Sequence, residues 1–89
     1  MKGKSAIVTG STQGIGEAIA RKLIAKRLSN LIICGRNNAR GEELADEFSR
    51  LGCNTIYVQS DLSKINDCNK IIDVANKSFK TIDILVNSA

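Results

Sequence analysis

Glycines at positions 10, 14 and 16 punctuate the run Thr9-Gly10-Ser11-Thr12-Gln13-Gly14-Ile15-Gly16, which lies between an apolar stretch and a segment of helical spacing. The chemistry this suits is the holding of a diphosphate. Gly10 has no Cβ and so permits a tight turn out of a strand. Gly14 leaves the backbone open to a pyrophosphate, and Gly16 lets a helix pack closely on a sheet. The anion then meets unpaired N–H groups and the positive end of the helix dipole, with the Ser11 and Thr12 hydroxyls beside it. The order G-x-x-x-G-x-G differs from the general G-x-G-x-x-G fingerprint, and no Lys-Ser or Lys-Thr follows as a P-loop requires.

A second apolar run closes on Gly35-Arg36-Asn37. Sites for NAD usually place a carboxylate there, about 20 residues beyond the glycine loop, to accept from the ribose hydroxyls. Arg36 would instead present a planar fork of donors to a 2′-phosphate. A charge-assisted contact of that kind contributes about 1.5–3 kcal/mol, roughly a ten- to hundredfold preference, so NADP is expected over NAD. The competing explanation is a surface ion pair of Arg36 with Glu42 or Glu43, worth about 0–1 kcal/mol. Asn37 suits either the same phosphate or the cap of the following helix.

The elements that must position these residues are legible as alternating patterns. Ser5–Thr9 reads as a buried strand, followed by a helix in which Ile15, Ala18, Ile19 and Leu23 fall on neighbouring turns. Leu31-Ile32-Ile33-Cys34 is the next strand. Gly41, Leu44, Ala45, Phe48 and Leu51 then mark a helix face, with Gly52 as its stop. Thr55–Val58 is a third strand. Ser63 stands where an N-cap belongs, ahead of Ile65, Cys68, Ile71, Ile72, Ala75 and Phe79, and Ile82–Val86 is the fourth strand. The order β-α-β-α-β-α-β with continuous apolar strands predicts an α/β fold, a doubly wound parallel sheet covered on both faces. In such a sheet Ile84-Leu85-Val86 would be an exposed apolar edge. The chain is therefore expected to be a fragment of something more than twice its length.

Composition narrows the function classes. Apolar residues make up 43% and charged residues 25% of the 89, as in ordinary globular proteins. No run approaches the ~20 apolar residues that span a membrane, and no signal peptide is expected behind Met1-Lys2-Gly3-Lys4. The net charge is +4, but the basic residues are scattered and only three residues are aromatic, so no nucleic-acid partner is expected. Histidine is absent, which removes the commonest metal ligand and general base, and no metal is expected. Cys34, Cys53 and Cys68 are odd in number, without CxxC spacing, and read as buried thiols of a cytoplasmic protein.

TGSTQGIG at residues 9–16 resembles the T-G-x-x-x-G-x-G signature of the classical short-chain dehydrogenase/reductase family. Asp61-Leu62 is similar to that family's adenine-contacting pair, and Asp83-Ile84-Leu85-Val86-Asn87-Ser88-Ala89 resembles its D-x-L-V-N-N-A-G segment, with Ser88 in place of the second asparagine. The resemblance implies a Rossmann-like fold, with residues 1–89 as the N-terminal part of a single NAD(P)-binding domain. It implies cofactor contacts at Gly10, Ser11, Thr12, Gln13, Gly14, Ile15, Gly16, Arg36, Asn37, Asp61, Leu62, Asn87, Ser88 and Ala89. Asp61 would accept from the adenine amino group, although a carboxylate there also suits a helix N-terminus. The full-length protein would be an NADP-dependent oxidoreductase, a homo-tetramer or dimer, acting on a carbonyl or alcohol such as a ketone, 3-oxoacyl thioester or sugar. The family's catalytic tyrosine and lysine lie downstream. Tyr57, the only tyrosine, has Asp61 four places on, so no catalytic residue is assigned and the fragment alone is not expected to catalyse. The alternatives are a non-catalytic or regulatory dinucleotide-binding protein and, more remotely, a methyltransferase, whose acidic residue after the second strand Arg36 replaces.

Overall fold

A computed structural model of the chain describes residues 1–89 except Ser11, Gln13, Leu62 and Ala89. Seven elements follow in strict alternation: β1 (Ser5–Thr9), α1 (Gly14–Ala25), β2 (Asn30–Gly35), α2 (Asn38–Arg50), β3 (Asn54–Gln59), α3 (Ile65–Ser78) and β4 (Ile84–Asn87). The four strands are parallel, in the order β3-β2-β1-β4. The chain steps outward from β1 to β3, then crosses back to the other side of β1. With right-handed crossovers, that reversal sends α1 and α2 to one face of the sheet and α3 to the other.

Strand side chains alternate between two cores. Ala6, Val8, Leu31 and Ile33 pack with Ala20, Leu44 and Phe48 of α1 and α2, whereas Ile7, Ile32, Cys34 and Val58 pack with Ile71, Ala75 and Phe79 beside α3. The strands therefore read as continuous apolar runs because both faces are covered. The edge strand β4 is the exception: Ile84 and Val86 join the α1–α2 side, while Leu85, on the other face, is 68% exposed.

Phe48 is fully buried at the centre of the first core, and the Arg21 guanidinium lies 5.3 Å from its ring centroid. Truncation of a residue so placed leaves a cavity that its neighbours fill only in part. Phe48→Ala is expected to cost about 3–5 kcal/mol, read as a lowered urea midpoint. A loss below about 1 kcal/mol, the level of a surface change, would contradict this packing.

Several helix details depart from the sequence pattern. In α1 the buried stripe is Gly16 and Ala20, with Leu23 and Ile24 half-buried, and Ile15 and Ala18 are exposed. The rotation of α1 is set by Gly16, which has to face Gly10, and that turns Ile15 outward. Leu51, Ile65 and Ile72 are likewise exposed beside helix faces that bury Gly41, Leu44, Phe48, Ile71 and Ala75. Ser63 is not the N-cap of α3. Lys64 occupies that position with an extended backbone and no side-chain cap bond, because the Ser63 N–H and hydroxyl both donate to Asp61 Oδ1, at 3.0 and 2.7 Å.

Candidate dinucleotide-binding crevice

In a parallel sheet all strands point the same way, so their C-terminal ends and the loops after them form one rim. At that rim lies an open cavity of about 1060 Å³. It is lined by Gly10, Thr12, Gly14, Ile15 and Gly16 after β1, by Cys34, Gly35, Arg36, Asn37 and Asn38 after β2, by Gln59, Ser60, Asp61 and Ser63 after β3, and by Ser88 after β4. Nine of the fourteen residues expected at a cofactor thus share one cavity. Ser11, Gln13, Leu62 and Ala89 lie outside the described residues. Asn87 does not line the cavity; its side-chain carbonyl accepts from Thr9 Oγ1 at 3.0 Å.

Local geometry explains the glycine spacing. Gly10 and Gly14 have φ of 63° and 61°, the left-handed region that residues with a Cβ adopt at a cost. A Cβ on Gly14 would meet none of the described residues within 4 Å, so its backbone is open to whatever occupies the crevice. Gly16 is different: a Cβ there would stand 2.6 Å from Ser88 Oγ and overlap the Gly10 carbonyl. The Ser88 hydroxyl in turn donates to the Thr9 carbonyl at 2.5 Å, and the Ser88 N–H donates to Thr9 Oγ1 at 3.3 Å. Thr9 therefore stitches the ends of β1 and β4 together beneath the loop. Thr12 is buried, its side chain filling the gap left by the missing Cβ of Gly35.

After β2, Asn37 is the N-cap of α2: its side-chain oxygen accepts from the Arg40 N–H at 3.1 Å. Arg36 is exposed and makes no ion pair among the described residues, so neither Glu42 nor Glu43 takes it up. Below it, Tyr57 lies with its ring against Gly41 and its hydroxyl donating to the Gly35 carbonyl at 2.9 Å. The only tyrosine is thus a prop for the loop that carries Arg36. Asp61 is held below the usual carboxylate range by its bonds from the Ser63 hydroxyl and N–H, with Arg36 and Lys64 adding a weaker pull. The Cys34 thiol is pushed up to about 11, chiefly by burial, and is an inert part of the wall.

The pattern of motifs did not single out Cys34, Asn38, Gln59, Ser60 and Ser63 as lining residues, nor Thr9 as the stitch. Small polar residues just beyond a strand's end are the signal that would have found Ser60 and Ser63, and the last residues of the strands themselves that for Thr9, Cys34 and Gln59. Nor did it disclose a chain of charges across α1 and α2. Arg21 donates to Glu17 at 3.0 Å and to Glu47, and Arg40 donates to Glu17 at 2.8 Å and to Glu43. The Glu17–Arg21 and Arg40–Glu43 spacings of four and three are visible in the sequence; the two links between helices are not.

The cavity fits a dinucleotide by size, by its glycine cradle at a helix start, and by the cation after β2. Among the described residues no helix is long and apolar enough to cross a membrane, and no cluster of candidate metal ligands occurs.

Comparison with known proteins agrees with that chemistry. The family profile described as short chain dehydrogenase matches residues 4–89. An 11-beta-hydroxysteroid dehydrogenase of Pinus massoniana is 37% identical over 90 residues, covering 100% of this chain and 25% of the relative. L-sorbose reductase from Gluconobacter frateurii, solved in complex with NADPH and L-sorbose, is similar with a TM-score of 0.91 and 32% identity over 100% of this chain and 34% of that one. A short chain dehydrogenase/reductase from Burkholderia phymatum, in complex with NAD, has a TM-score of 0.87 and 25% identity over 93% of this chain and 29% of that one. The chain spans about a quarter to a third of the length of the curated relatives it matches.

Proposed function

This chain belongs to the short-chain dehydrogenase family of oxidoreductases, and from that premise we propose that it grips the adenosine and diphosphate half of NADP(H). In this reading residues 1–89 are the N-terminal part of one NAD(P)-binding domain. When bound, the cofactor supplies hydride exchange with a carbonyl or alcohol carbon of a small substrate, a ketone, 3-oxoacyl thioester or sugar. The residues that act on that substrate are sought beyond position 89. We place the whole protein in the cytoplasm as a homo-tetramer or dimer.

The chain's own residues divide the work of binding. Gly10, Gly14 and Gly16, with Ser11, Thr12, Gln13 and Ile15, wrap the diphosphate against the start of α1. Arg36 reaches the 2′-phosphate, and Asn37, its side-chain oxygen committed to the cap, holds the start of α2 in place beside it. Asp61, kept ionised, accepts from the adenine amino group, and Leu62 supplies a backbone donor beside it. Ser88 and Ala89 run beside the far ribose, and Asn87 acts through Thr9.

The observation that carries the preference for NADP is Arg36, an exposed guanidinium without an ion pair among the described residues, at a position where NAD sites hold a carboxylate. Titration of the full-length protein with NADPH and NADH, followed by nicotinamide fluorescence, tests it. NADPH is expected to bind at least roughly tenfold more tightly. Equal affinities, or a preference for NADH, would overturn it.

A further inference from the structure

We propose that Arg40 is a positioning residue for the dinucleotide, locking the first turn of α1 to the first turn of α2. The inference rests on the dinucleotide site proposed above. Two helix starts border the crevice. That of α1 carries Gly14, Ile15 and Gly16, and that of α2, beginning at Asn38, follows Arg36 and Asn37. One side chain joins them: the Arg40 guanidinium donates to Glu17 Oε1 at 2.8 Å, one residue beyond Gly16. The main-chain N–H of the same Arg40 donates to Asn37, one residue beyond Arg36. A single residue thereby ties the loop that faces the diphosphate to the loop that faces the adenosine ribose.

Its surroundings suit a fixed strut. Glu17 is held on its other side by Arg21, which reaches on to Glu47, and Glu43 takes the remaining face of Arg40. Acids and bases alternate along the row, so no like charges adjoin and each guanidinium is used twice. The Glu17 and Arg40 side chains are 19% and 34% exposed, less than those of the other pairs' carboxylates at Glu47 and Glu43. The pairing also has an electrostatic effect. The Arg40 hydrogen bond, ahead of that from Arg21, holds Glu17 below the usual carboxylate range. An unpaired carboxylate one residue past the glycine loop would repel a diphosphate.

The test uses the full-length protein and measures affinity for NADPH and NADH, the kcat at saturating cofactor, and thermal stability. Arg40→Met is expected to raise the Kd for both cofactors by a similar factor, roughly tenfold, with kcat at saturation unchanged. Glu17→Gln is expected to weaken binding too, because it breaks the strut even while removing a negative charge. Arg40→Lys, which keeps one bond to Glu17, is expected to recover part of the loss. Glu47→Gln, at the outer end of the row, serves as the control for stability: it lowers the melting temperature and leaves both Kd values as they were.

A change confined to NADPH would make Arg40 a direct phosphate ligand and overturn the inference. So would tighter binding by Glu17→Gln, or a fall in stability by Arg40→Met with both Kd values unchanged. If the unsubstituted protein bound neither cofactor, the site itself would be refuted, and the positioning role with it.

Discussion

Gly16→Ala is expected to abolish measurable dinucleotide binding, raising Kd by roughly a hundredfold or more. The added Cβ would overlap the Gly10 carbonyl and stand 2.6 Å from Ser88 Oγ. Rotation of a side chain cannot relieve an overlap with backbone, so α1 has to move away from the end of β1. Overpacking of this kind costs about 1–3 kcal/mol in stability, but binding suffers more. The displaced helix start is the one whose N–H groups face the diphosphate. Gly14→Ala provides the contrast. Among the described residues nothing lies within 4 Å of a Cβ there, and the positive φ of 61° is the unfavourable feature. Its cost is therefore about 1–2 kcal/mol of backbone strain, with a smaller loss of binding. Nicotinamide fluorescence titrations beside urea melts separate the two effects, and a Gly16→Ala protein that binds as before would refute the close packing.

Arg36→Glu is expected to invert the choice of cofactor. The substitution removes a donor fork from the 2′-phosphate and replaces it with a like charge, while giving the ribose hydroxyls of NADH an acceptor. NADPH affinity is expected to fall at least roughly a hundredfold, with NADH affinity unchanged or improved. Arg36 is exposed and carries no structural ion pair among the described residues, so the variant folds as the parent does. The ratio of the two Kd values is the readout. Equal losses for both cofactors would show that the side chain acts on something other than the 2′-phosphate.

The architecture was legible because burial on both faces of a parallel sheet leaves long apolar runs, and because glycines mark the places where they stop. Strand β1 was bounded as observed, and the others differed by one or two residues at their ends. The rotation of α1 was not legible. Periodicity pointed to Ile15 and Ala18, and it took the contact between Gly16 and Gly10 to show that Gly16 and Ala20 are the buried pair. Ser63 looked like a cap because serine caps often, yet Asp61, two residues earlier, engages both of its donors. The half-covered state of β4 was expected, because a doubly wound order sets that apolar strand beside β1 with its other side open, and Leu85 is exposed accordingly. For the crevice, the residues of the glycine motif and those after β2 were readable from type and spacing. The links from Arg40 to Glu17 and from Arg21 to Glu47 span 23 and 26 positions, and only the fold brings them together.

The strand order also has a kinetic consequence. β1 meets β2 across 25 residues, as Ser5 pairs with Asn30, but it meets β4 across 78, as Ala6 pairs with Ile84. Closing the longer loop costs more chain entropy, so the pairing of β4 with β1 is harder to reach than that of β2 with β1. The three strands β3-β2-β1, with α1 and α2, therefore form an early folding unit, to which α3 and β4 dock later. Amide protons of β2, flanked by β1 and β3, should be among the last to exchange with solvent. The Thr9–Ser88 stitch beneath the glycine loop belongs to that later event, so the loop reaches its final form only as β4 arrives.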